Sequence, residues 1–298
     1  MAASLPAGLN SSAQPLAPPR NNYSSNQTTA RPSREDIRKE VEDEIRNLHS
    51  EDPVKVAKAA AGLVMLATLP AAEPYLLPAV TQLSMLLENA VSIDVQRNAC
   101  AALTAIMNAN LHLYIVVVES PHLMERLLHC LENHDKGLQI NVAAAVSVLA
   151  QRGEGLQIIK ATEADMKLLS LLECADDLRL GEEITDAICA LAVHQEMRLR
   201  LVTKGAVSRL AAKLNIGSSE ICVRVLLGLG MLCGSSQEAQ EQLAETDGAI
   251  FTLLTLVKSS DPDIRAIAHD LFAALSSNER VKVKIEQMLM NNPIIRGR

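Results

Sequence analysis

Tryptophan is absent from this chain of 298 residues, and its aromatic side chains amount to two Phe and three Tyr. Apolar residues still make up 48% of it, enough for a sizeable core, so that core has to be built from Leu, Val, Ile and Ala. Aliphatic side chains of this size suit closely spaced helices. Strand-type alternation is almost missing as well. The one β-prone run, Tyr114 to Val118, falls where the repeat register described below demands helix, and it is read as helix.

Other absences bound the function. The net charge of −7 lacks the cationic excess that phosphate binding requires, so nucleic acid is not expected as a partner. No apolar run approaches the roughly 18 residues that suggest a membrane span. The start lacks the basic lead-in and apolar core of an export signal. The expected location is therefore intracellular, the cytoplasm with the nucleus left open. Glycosylation-type triplets at Asn10, Asn22 and Asn26 are read as accidents of a Ser/Asn-rich tail.

Six cysteines (Cys100, Cys130, Cys174, Cys189, Cys222 and Cys233) include no Cys-x-x-Cys pair and are expected as buried, reduced thiols. There is no phosphate loop, no His-Glu-x-x-His and no Gly-x-Ser-x-Gly. Gly228, Gly230 and Gly234 fall at helical positions and are read as room for close helix approach. His122, His129, Cys130 and His134 crowd one segment, but a zinc site needs four converging ligands. Cys130 is expected in the core beside Leu131, with the histidines in solvent. The reading is no cofactor, no metal and no catalysis.

What is present is a ladder. Leu66, Ile106, Leu149, Leu191, Leu232 and Leu275 follow one another at steps of 40, 43, 42, 41 and 43 residues. Three places earlier stand Leu63, Leu103, Val146, Ile188, Leu229 and Phe272. Seven places earlier stand Ala59, Ala99, Val142, Ile184, Val225 and Ala268. Offsets of three, four and seven are the core stripe of an α-helix. A second pair of columns keeps the same period: Leu87, Leu131, Leu172, Leu214 and Val257, each preceded four residues earlier by Leu83, Leu127, Leu168, Leu210 and Leu253. Helices recurring every forty-odd residues mark a solenoid, in which each unit buries its apolar face only against its neighbours.

Residues 1–32 are Pro, Ser, Asn, Gln, Thr and Ala with two charges, Arg20 and Arg31, and read as a disordered tail. Residues 33–51 read as a capping helix with the stripe Ile37, Val41, Ile45 and Leu48. From Arg34 to Asp52 that segment is acidic, with four Lys or Arg against eight Asp or Glu, read as a solvated helix face. Residues 52–298 read as the solenoid, in units of roughly 52–91, 92–134, 135–177, 178–219, 220–260 and 261–298. Each unit is expected to hold a short lead-in helix opened by a pair such as Asp52-Pro53 or Asp261-Pro262, then the apolar helix, then a second long helix.

The segment Thr246-Asp247-Gly248-Ala249-Ile250 through Leu253 and Val257, continuing over Asp261-Pro262 to Ala268, Leu271 and Leu275, resembles an armadillo repeat. Lys204-Gly205-Ala206-Val207 to Leu214 repeats the signature, and earlier units keep the leucines without the glycine. The resemblance spans residues 52–298, with HEAT repeats as the near alternative. It implies an all-α, right-handed α-solenoid (an α-α superhelix) of about six armadillo-like three-helix repeats.

In the armadillo family the third helix lines a concave groove that holds a partner. Carried onto this chain, the residue before the first leucine of each Gly-Ala-Ile-type helix is Gln82, Arg126, Lys167, Arg209 and Thr252. Three residues on lie Met85, His129, Ser170, Ala212 and Thr255, and the next row is Glu88, Glu132, Glu173, Asn215 and Lys258. Arg126, Lys167 and Arg209 are expected as a basic stripe for a protein or peptide segment of acidic character, against the alternative of three solvated charges. Importin-α-type members line the groove with a Trp and Asn array, and this chain, lacking Trp, departs from them. The implied function is protein–protein interaction as an adaptor, scaffold or co-chaperone-like binder. Two alternatives stand beside it: a subunit docking through the solenoid ends, and a regulatory domain sensing a small ligand.

Overall fold

The computed structural model describes residues 33–89, 92–215, 218–234 and 236–291; the tail expected over 1–32 lies outside them. From Arg34 onward the chain forms one compact unit. Helix α1 (Arg34–Asn47) places Glu35 and Asp36 in its first turn, where the helix dipole favours negative charge, and buries Ile37 and Val41. It packs on α2 (Pro53–Ala67) and α3 (Leu77–Asn89) of the first unit. Four units of three helices follow. They are α4 (Ile93–Ala109), α5 (Leu111–Val118) and α6 (Pro121–His129); α7 (Lys136–Leu149), α8 (Gly153–Ala161) and α9 (Ala164–Cys174); α10 (Leu178–Ala192), α11 (Gln195–Thr203) and α12 (Ala206–Ala212); and α13 (Ser219–Cys233), α14 (Gln237–Glu245) and α15 (Ala249–Leu256). The last described helices are α16 (Pro262–Ser276) and α17 (Glu279–Asn291). Among the described residues there is no strand, and no helix is long and apolar enough to cross a membrane.

The long helices α2, α4, α7, α10, α13 and α16 carry the first set of columns. Each begins one residue after an Asp or Ser in extended conformation: Asp52, Ser92, Asp135, Asp177, Ser218 and Asp261. Five of these side chains accept a hydrogen bond from a free amide of the first turn, as N-caps do. Because cap and apolar stripe share one period, every long helix starts in the same register. They then stack side by side, α2 on α4, α4 on α7, α7 on α10, α10 on α13 and α13 on α16. The columns through Leu103 and Ile106, Val146 and Leu149, Ile188 and Leu191, and Leu229 and Leu232 are sealed from solvent, and only Phe272 of the set is half-buried. The leucine columns from Leu83 to Leu253 and from Leu87 to Leu214 are buried in the same way, with Val257 half-buried.

Helix order within a unit differs from the expectation. No lead-in helix precedes the apolar one; Asp52-Pro53 and Asp261-Pro262 cap the long helix directly, with Pro at its first position where no amide is required. The short helix comes after the long one, and in the first unit it shrinks to a 3-10 turn, Glu73–Tyr75. Counted from its short helix, each unit therefore ends on the long apolar helix. The Tyr114–Val118 run is helical, within α5. Of the glycines on α13, Gly228 makes the close approach, since a Cβ there would lie 3.3 Å from Cys189 Sγ, whereas Gly230 faces open space. Cys100, Cys222 and Cys233 are buried, Cys130 and Cys189 half-buried, and Cys174 is exposed, contrary to its expected burial.

Candidate functional site

The row expected to meet a partner sits on α3, α6, α9, α12 and α15, off the long-helix layer. Each member reaches back one unit. Arg126 Nη2 lies 2.6 Å from Glu88, Lys167 Nζ 2.6 Å from Glu132, and Arg209 Nε 3.2 Å from Glu173. Thr252 Oγ1 stands 3.3 Å from Asn215 Oδ1, and Gln82 Nε2 donates to the Leu48 carbonyl at 3.5 Å. The cationic row and the glutamate row behind it thus form one inter-unit ladder. The Lys167 ammonium, with His129 adding to it, holds the Glu132 carboxyl below the usual carboxylate range. In the second row, Ser170 and Thr255 turn their hydroxyls onto the carbonyls of Met166 and Phe251, and Met85 is exposed.

Arg126, His129 and Lys167 converge on one cleft of about 750 Å³ between α6 and the α8–α9 pair. Arg209 is elsewhere, its guanidinium folded onto the carbonyls of Lys204 and Gly205. The continuous basic stripe is therefore two flanking cations and one separate one. Cys130 and His134 are not brought to a shared point with other ligands: among the described residues no three of His, Cys, Asp and Glu are placed to hold a metal ion.

A second surface runs along the long helices, on the side away from the buried columns. Its exposed or half-buried positions lie one and five residues before each column residue. They are Ala61 and Met65 on α2, Ala101 and Ala105 on α4, Ala144 and Val148 on α7, Asp186 and Ala190 on α10, and Leu227 and Met231 on α13. Met65 is 64% exposed and Leu227 45%. One position to the side, Asn98 donates to the Ala57 carbonyl at 2.9 Å and Asn141 to that of Arg97 at 2.8 Å, stitching α2 to α4 and α4 to α7. The same column next supplies Glu183, half-buried and, among the described residues, without a side-chain hydrogen bond or ion pair. Burial pushes its carboxyl up, reinforced by Asp186. Burial also pushes Asp186 up, opposed by the Arg224 guanidinium 2.8 Å away. Burial, reinforced by Asp186, pushes the neighbouring Cys189 thiol up to about 12. Sequence reasoning missed this face because it is made of small residues that look like more core; the signal was their place between the sealed columns.

No protein-family model matches the chain, and no curated protein matches it. Solved structures do. A designed armadillo repeat protein superposes with a TM-score of 0.69 at 24% identity, over 79% of this chain and 99% of that one. Another designed armadillo repeat protein, in complex with the peptide (KR)4, gives 0.69 at 21% identity over 79% and 99%. An engineered protein of the Northeast Structural Genomics Consortium gives 0.70 at 23% identity over 80% and 97%. The fold is an armadillo-like α-solenoid.

Proposed function

We propose that this chain is a non-catalytic adaptor or scaffold that holds an extended or helical segment of a partner protein along the exposed face of its long helices. The observation that carries this reading is the continuity of that layer: six helices in one register, each packed along its neighbour, with mostly small or apolar side chains outward from α2 to α13. A curved stack is most closely spaced on its inner side, and the whole-helix contact between the long helices supports the reading that this layer faces the groove. The peptide complex of the designed relative supports the same use of the fold.

The acidic character expected of the partner rests on Arg126, Lys167 and Arg209, and each of these already has a carboxylate partner. Between the apolar positions of α7 and α13 the long-helix face carries a carboxylate, Glu183, that has no ion-pair partner among the described residues. A segment with a basic side chain flanked by apolar ones complements it. A cytoplasmic location agrees with six cysteines that form no disulfide in the fold.

Peptide display against the whole chain tests the reading. Binders selected on the wild type are expected to lose at least tenfold in affinity to Glu183→Lys combined with Leu227→Asp, and to bind Arg209→Glu unchanged. The reverse pattern would sink the proposal and return the partner to the third-helix row.

A further inference from the structure

The cleft at Arg126 is separate from the long-helix face and has a different chemistry. Its wall is apolar, from Val118 at the end of α5, Met124 on α6 and Ile158 on α8. Its rim is cationic, with Arg126 on α6 and Lys167 on α9, His122 and His129 beside them and Glu125 as the carboxylate among the described lining residues. The glutamates that pair with the two cations do not line it. Glu88 lines the neighbouring hollow with Asn133 and His134, and Glu132 lines hollows on the far sides of Arg126 and Lys167. Arg126 and Lys167 are therefore held in place from behind while their remaining donors stay available: a guanidinium carries five N–H groups and an ammonium three, and one carboxylate each uses a minority. A volume of about 750 Å³ suits a small molecule and is wide for a single side chain.

We propose that this cleft binds a small amphiphilic anion, an apolar body against Val118, Met124 and Ile158 carrying one carboxylate, sulfonate or phosphate group between Arg126 and Lys167. Charge-assisted hydrogen bonds from two donors fix the head group, and the apolar wall excludes water from the body. The site goes beyond the polypeptide-binding reading and stands without it, because the two surfaces share no residue.

The probe is 8-anilinonaphthalene-1-sulfonate, titrated against the folded whole chain and followed by fluorescence. One saturable site is expected. Arg126→Ala with Lys167→Ala should weaken it at least tenfold, and Ile158→Asn, which adds no charge beside the two cations, should weaken it as well. Arg209→Ala, which removes the third cation of the row outside the cleft, should leave it unchanged, and melting curves of all variants report whether the fold persists. Several weak non-saturating sites, no binding, equal binding by the double variant, or equal affinity for uncharged N-phenyl-1-naphthylamine would each overturn the proposal. So would a glutamate-rich peptide that binds the cleft where the sulfonate does not.

Discussion

Glu163 is the non-glycine residue that the described backbone holds at positive φ, 54°, immediately before α9. Gly205 and Gly248 occupy the same place before α12 and α15, at 79° and 73°. The unit of α9, which lacks the glycine in its sequence, has therefore kept the left-handed turn, at a cost of about 1–2 kcal/mol for a residue with a Cβ, whereas Ser120 before α6 sits at φ −100°. Glu163→Gly is expected to stabilise the chain by about 1 kcal/mol, since part of the relief is offset by glycine's greater freedom when unfolded. Gly205→Ala is expected to destabilise it, because its Cβ would also meet the Arg209 guanidinium at 2.9 Å. Paired urea melts measure both, and a loss of stability in Glu163→Gly contradicts the argument. The turn before α9 was invisible in sequence because the expected marker was glycine, while here Glu163 adopts the same left-handed conformation.

At the scale of elements, ion pairs spanning about one repeat set the register between units. Beyond the ladder on the third helices, Lys160 pairs with Glu196, Arg224 with Asp186, Lys136 with Asp176, and the buried Asp165 with Arg200. The pair between α4 and α7 does two tasks. Asp135 caps α7 at the Leu138 amide and accepts two hydrogen bonds from Arg97, at 2.6 and 2.7 Å. The Arg97 guanidinium holds the Asp135 carboxyl below its ordinary value. A depressed acid stabilises the fold above its unfolded value and loses that contribution as pH falls through the folded one. Asparagine keeps the cap and removes the charge. Asp135→Asn is therefore expected to lose about 1 kcal/mol at pH 7, discounted for the exposure of Arg97, and the gap to wild type should close as pH drops below about 4. An equal gap at pH 7 and pH 3 contradicts this.

The helices themselves were legible, since columns such as Leu83 to Leu253 and Ala99 to Val225 are the buried ones. Helix order was not. Asp-Pro opens a helix whether that helix is short or long, and only packing shows that the capped helix is the long one. On the proposed reading the groove belongs to the long helices and not to the third-helix row, and the charges of that row read as free because the partner glutamates lie some 35–38 residues away in sequence.

For the whole molecule, the fold is a chain of nearest-neighbour interfaces, and its last described long helix differs from the rest on one side. Where α13 buries Cys222 and Leu226, the matching positions of α16 hold exposed Arg265 and His269. That side of α16 is polar where α13 is apolar, while α17 beside it exposes Val283 and Met290. Light scattering is expected to give a mass that stays constant with concentration; growth of the mass would revive assembly through the solenoid ends. The central claim concerns the side of the stack, not its end. Hydrogen exchange with and without a display-selected peptide tests it most directly. Protection is expected along α4, α7, α10 and α13, with α6, α9 and α12 unchanged; protection confined to α6, α9 and α12 would contradict the account.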